Sequence, residues 1–163
     1  MRKALILTVA AAMLGSTSAA RAEVKRYPLV GSTFPIARAV EVPGTQTLIF
    51  HSGMTPDPAR PEAAKYSAEY WGDTKAQTLS VLSKTKASIE SMGLKMGDAV
   101  KMTVFLVAPA AGAAMDFAGM MEGYTQFFGT AAQPNLPARS AVQVAGLAAP
   151  GMLVEIEIVF ARP

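Results

Sequence analysis

The sequence contains no cysteine and only one histidine, His51. The first absence excludes thiol nucleophiles, thiolate metal sites and disulfides. The second excludes a multi-histidine metal centre within one chain. Stability must therefore come from the core or from assembly. No hydrophobic run is long enough to span a bilayer as a helix: the longest leading stretch, residues 4–14, is about half of the ~20 residues required. There is no internal repeat and no low-complexity tail.

What is present begins with an address. Arg2 and Lys3 precede the apolar run, and Ala20-Arg21-Ala22 is a small-x-small cleavage signal. Residues 1–22 thus read as a secretory signal peptide. Cleavage after Ala22 leaves residues 23–163 as a single domain, periplasmic or secreted, with no membrane attachment. Arg2, Lys3 and Arg21 would leave with the leader and no acid with them, so the 15 basic residues fall to match the 12 acidic ones. The mature chain then lacks the basic excess of a nucleic-acid binder, and no nucleic-acid partner is expected.

Along the domain, residues 23–35 show no periodicity and read as an extended arm. Strands are expected over 37–42 and 47–52, the first ended by Pro43-Gly44. A proline-bearing surface loop follows, holding Trp71. Residues 74–92 predict a helix: Thr74 and Gln77 have capping-box spacing, and Ala76, Leu79, Leu82, Ile89 and Met92 mark an apolar stripe before Gly93. A strand over 99–107 precedes a second helix, capped by Asp116 and closed by Gly129. Its methionines suit core filling better than a metal or redox site. The last strands are expected over 139–144 and 153–160, joined by a Gly/Pro-containing turn. The order β-β-α-β-α-β-β is a mixed α+β layout with two helices laid on one sheet face.

The closing strand alternates. Val154, Ile156, Ile158 and Phe160 form an apolar face, and Glu155 and Glu157 point the other way. Pairing the last two strands with apolar faces together would put Arg139 and Gln143 on the same side as these glutamates. An arginine on a rigid strand suits a substrate carboxylate, because its planar fork gives two parallel charge-assisted hydrogen bonds. A nearby carboxylate such as Glu155 can orient a water and shuttle a proton. From the pattern alone, an exposed cross-strand ion pair is the commoner reading. His51 reads better as a packed, hydrogen-bonded residue than as a ligand.

Pro137-Ala138-Arg139-Ser140 followed by Val154-Glu155-Ile156-Glu157 resembles the closing signature of the RidA (YjgF) family. Residues 93–101 resemble its helix-to-strand segment, Ser52-Gly53 its SG turn, and Tyr124 through Phe128 its Y-x-x-F-F motif. The likeness runs in register from about Phe34 to Ala161. It implies a chorismate-mutase-like homotrimer with ligand clefts between subunits. It further implies Arg139 on a small-molecule carboxylate substrate, Glu155 on the hydrolytic water, and ligand contacts from Ser52 and Gly53. The implied reaction converts a 2-imino or 2-enamino acid to a 2-oxo acid and ammonia. An sp² imine carbon is electrophilic enough to need only a placed water and a proton donor, so neither metal nor organic cofactor is implied.

The sequence departs from the family at a site tyrosine, where Phe34-Pro35-Ile36 brings Ile36. Met54 stands for a Gln, Met121 for a frequent Asn and Ala141 for a frequent Cys. These changes keep the carboxylate anchor and make the pocket more apolar, with Ile36 among its walls. Besides hydrolysis, a non-catalytic carboxylate-binding or holdase-like module fits the same residues. The ribonuclease activity attached to some relatives finds little support in a neutral mature chain.

Overall fold

The computed structural model describes residues 23–163, so the expected leader lies outside the described residues. The strands are β1 (Lys25–Pro28), β2 (Ala37–Glu41), β3 (Thr47–Met54), β4 (Ala99–Leu106), β5 (Ala138–Gln143) and β6 (Val154–Arg162). The helices are α1 (Ala68–Trp71), α2 (Thr74–Ser91) and α3 (Phe117–Tyr124), with a 3₁₀ turn at Met96–Asp98. All six strands form one mixed sheet in the order β1-β2-β5-β4-β6-β3. β4 pairs parallel with β5 and antiparallel with β6.

The alternation in β4 and β6 sets the core. Met102, Val104 and Leu106 lie opposite Ile158, Ile156 and Val154, and all six are buried beneath the helices. Truncating any of the large ones to alanine would cost about 2–5 kcal/mol. Tyr124 and Phe128 stack at 4.9 Å and close the core from the α3 side. Gly123 lets α3 approach α2, since a Cβ there would lie 2.7 Å from Thr78 Cβ.

Three local expectations need correction. The extended arm contains a strand, β1, which pairs with β2. Asp73, not Thr74, caps α2, its Oδ1 accepting from the Ala76 N–H at 2.8 Å. The inward face of α2 is also more polar than the predicted stripe: Thr74, Gln77, Thr78 and Thr85 are buried beside Val81, Leu82 and Ile89, while Met92 is exposed. Gln77 explains part of that polarity. Its Nε2 donates to the carbonyls of Gly72 and Gly151, and its Oε1 accepts from the Leu153 N–H. A fully bonded buried amide fixes the entry to α2 against the start of β6.

The fourth correction is topological. β5 and β6 are not neighbours, because β4 lies between them. Arg139, Ala141 and Gln143 pair with Met102, Val104 and Leu106, so they face the helices. Glu155 and Glu157 pair with Phe105 and Thr103 on the uncovered face. The expected shared face of Arg139 and Glu155 does not exist within one chain.

Candidate functional site: an arginine in an aromatic box

On the helix side, β5 delivers Arg139 into a box of rings. Its guanidinium carbon lies 4.4 Å from the Tyr124 centroid, 5.5 Å from Phe34 and 5.7 Å from Phe117. Phe117 and Tyr124, seven residues apart, share one face of α3. Phe34 arrives from the β1–β2 connection and stacks on Phe117 at 6.3 Å. The Tyr124 hydroxyl donates to the Pro35 carbonyl at 2.8 Å, which holds that connection in place.

Rings attract a guanidinium by about 0.5–2 kcal/mol each, but they cannot satisfy its N–H groups. Arg139 Nη1 is shut off from solvent and has no hydrogen-bond partner, and no acidic side chain pairs with Arg139 among the described residues. Burial lowers the Arg139 pKa, with Tyr124 a smaller opposing influence. Burial likewise pushes the Tyr124 phenol up to about 12. A desolvated cation with an unmet donor is a receptor for an anion.

The second group lies at the β3 turn. A register break between His51 and Met54 lifts Ser52 and Gly53 out of the ladder with β6. Gly53 lies directly against the Glu155 carboxylate, leaving no room for a Cβ beside Oε1. His51 braces this turn from beneath, with Nδ1 3.0 Å from the Ser52 carbonyl and Nε2 3.0 Å from Ser88 Oγ. A carbonyl only accepts, so in the neutral ring Nδ1 carries the proton and the Ser88 hydroxyl donates to Nε2.

Arg139 and Glu155 are two strands apart, three residues offset and on opposite faces, on the order of 14 Å between Cα atoms from ordinary sheet spacings. Ile36 lines a hollow with Arg26, Tyr27 and Leu136. Met54 and Met121 are packed against the core. Trp71 is buried, its Nε1 donating to the Pro150 carbonyl at 2.7 Å. Sequence reasoning missed Phe34 and Phe117 as site residues and took Tyr124 only as a family marker. The seven-residue spacing on α3 was the available signal for two of them. Among the described residues no three His, Asp or Glu side chains are placed to hold a metal ion. Among the described residues no helix is long and apolar enough to cross a membrane.

The fold and the box define a small α+β domain with a buried, ring-enclosed arginine on one face and a glycine-backed carboxylate on the other. The family model described as Endoribonuclease L-PSP matches residues 32–161. A relative from Escherichia coli K12 named as a reactive intermediate deaminase, TdcF, is 34% identical over 86% of this chain and 95% of its own length. The 2-iminobutanoate/2-iminopropanoate deaminase of the same organism is 36% identical over 71% of this chain and 80% of its own. The solved structure of E. coli TdcF with bound serine matches with a TM-score of 0.55 at 32% identity, covering 85% of this chain and 94% of that one. The chain belongs to the RidA/YjgF family and has its α+β fold.

Proposed function

We propose that the protein hydrolyses 2-imino acids to 2-oxo acids and ammonia at sites shared between protomers. The observation that carries this reading is the buried, unpartnered Nη1 of Arg139. A substrate carboxylate supplies the missing acceptor. The kinship with a relative named as a 2-iminobutanoate/2-iminopropanoate deaminase, and with one named as a reactive intermediate deaminase, suggests the substrate class.

Because Arg139 and Glu155 of one chain cannot touch the same small molecule, the second group must come from another copy. The uncovered sheet face favours such an assembly. Phe50 is 77% exposed there, with Leu48 at 42% and Val142 at 41%. Exposed apolar side chains on a sheet face without helices favour a partner surface, and we take the assembly to be a homotrimer.

In the proposed reaction Arg139 holds the carboxylate and fixes the imine carbon. Glu155 of a neighbouring copy orients a water and takes its proton as the oxygen bonds to that carbon. As the π pair of the C=N bond moves onto nitrogen, the nitrogen takes a proton from solvent and becomes the amine of a carbinolamine. Glu155 then returns its proton to that amine, and the C–N bond breaks as the hydroxyl proton passes to the carboxylate and on to solvent, releasing ammonia and leaving the 2-oxo acid. We further propose export and removal of residues 1–22, which intact mass of the extracytoplasmic protein would reveal as a chain starting at Glu23.

The test is loss of freshly generated 2-iminopropanoate and 2-iminobutanoate in the presence of the purified mature protein. Accelerated loss that Glu155→Gln abolishes supports turnover. Binding of the matching 2-oxo acids without acceleration would replace hydrolysis by carboxylate capture.

A further inference from the structure

His51 bonds to the Ser52–Gly53 turn, and that turn lies against Glu155, so the three are linked in series. Strand alternation sends His51 to the helix side, where Nε2 meets Ser88 of α2 and the ring meets Phe160 edge-on at 6.2 Å. Glu155 projects from the opposite face. The Ser52 carbonyl, 3.0 Å from Nδ1, therefore points away from the Glu155 side. The N–H of the same peptide, on Gly53, points the other way.

A peptide in this position is easy to invert. Turning its plane over changes only ψ of the residue before it and φ of the residue after it. The residue after it is glycine, which accepts positive and negative φ about equally. The register break between His51 and Met54 has also taken the peptide out of the regular ladder with β6. In the inverted state the Ser52 carbonyl would face the side of Glu155. Two acceptors would then meet with no proton between them, and the carboxylate would be pushed from its place. The closeness that Gly53 provides thus brings a freedom that something must check.

The Nδ1–H of His51 checks it. Ser88 secures this donor, since a hydroxyl donating to Nε2 keeps the proton of the neutral ring on Nδ1. We infer that His51 is a positioning residue, whose hydrogen bond locks the Ser52–Gly53 peptide and so holds Glu155 for the hydrolytic step. This role rests on the reaction proposed above and adds to it a residue that acts from the helix side of the sheet.

The test separates the two nitrogens of the ring. His51→Asn places an amide N–H near the position of Nδ1, His51→Gln places one near Nε2, and His51→Phe keeps a ring with neither. For these and Ser88→Ala the readouts are kcat and KM with freshly generated 2-iminopropanoate, pyruvate affinity and melting temperature. One lost hydrogen bond corresponds to roughly a ten-fold fall in rate. That fall is expected in kcat for His51→Phe and His51→Gln, with KM and pyruvate affinity unchanged because Arg139 still holds the carboxylate. His51→Asn should keep most of the native kcat, and Ser88→Ala should lie between. A packing role alone would rank Gln with Asn and make kcat follow the melting temperature. That pattern, or native kcat in His51→Phe, would overturn the role while leaving the reaction standing. No loss of imine with the native protein would overturn the reaction and the role together.

Discussion

Gly53 and Glu155 are in contact across β3 and β6, with the glycine Cα where a side chain would displace the carboxylate. The glycine is not required for its backbone angle, since its φ is not in the left-handed region. It is required for closeness. Gly53→Ala should therefore leave the melting temperature nearly unchanged while swinging Glu155 Oε1 away. A shift of about 1 Å in a reacting group can cost about 10²-fold in rate. Imine hydrolysis and thermal melting on the same preparation separate the two effects.

Arg139 should behave as a binding group. Arg139→Ala removes a charged partner of the ligand carboxylate, an expected loss of about 10- to 150-fold in 2-oxo acid affinity. Arg139→Lys should recover only part of this, because an ammonium lacks the paired donors of a guanidinium. Calorimetric titration with pyruvate ranks the three proteins. Equal affinities would show that the box is structural only.

Tyr124 predicts an alkaline weakness. In the unfolded chain its phenol ionises near the ordinary value of about 10, but in the fold only near 12. Between these values the unfolded state has lost a proton that the native state keeps, so stability falls as pH rises. The full contribution is present below about pH 10, and about 2 kcal/mol should be gone by pH 12. Urea midpoints across that window test this, and Tyr124→Phe should remove the added slope.

Side-chain selectivity should follow Phe34 rather than Ile36. Phe34 lies 5.5 Å from the Arg139 guanidinium, whereas Ile36 lines a hollow with Arg26 and Leu136. Ile36→Tyr is expected to leave the relative rates for alanine-, leucine- and phenylalanine-derived imines unchanged, and Phe34→Ala to alter them. A selectivity change confined to Ile36→Tyr would instead make Ile36 the selective wall.

Phe50 should hold the proposed assembly together. Phe50→Asp puts a charge among the exposed apolar side chains of the uncovered face, and desolvating that charge in an interface is costly. Sedimentation equilibrium should give three times the chain mass for the native protein and a monomer for the variant. A native monomer at micromolar concentration would remove the shared site.

The longer strands and the two longer helices were legible because their signals are local, whereas β1 and α1, four residues each, carried no such signal. The alternation from Val154 to Phe160 and the spacing from Phe117 to Phe128 both follow from one element facing one core. Pairing was not legible. The Gly/Pro turn before β6 reads as a hairpin, and nothing local in residues 138–143 reports that β4 will insert between β5 and β6. That one misplacement put Arg139 on the wrong face. Ser140 and Val142 look more like a buried pair than Arg139 and Gln143 do, yet Arg139 is drawn inward by rings from α3 and from residue 34. The polar inner face of α2 was hidden for a similar reason, since Gln77 is buried by partners more than seventy residues away.

The β1–β2 hairpin joins the rest of the sheet through one ladder pair, Ala37 with Ala138. Its other ties are side chains: Arg26 Nη2 on the carbonyls of Gly97 and Ala99, and Tyr124 on Pro35. It is fastened at points, where its neighbours are stitched along their length. A segment attached in this way can detach while β4, β5 and β6 stay paired, making it the natural first unit of partial opening. Since Phe34 lies on the connection within that hairpin, opening it would take one wall from the arginine box and leave the two walls on α3 standing.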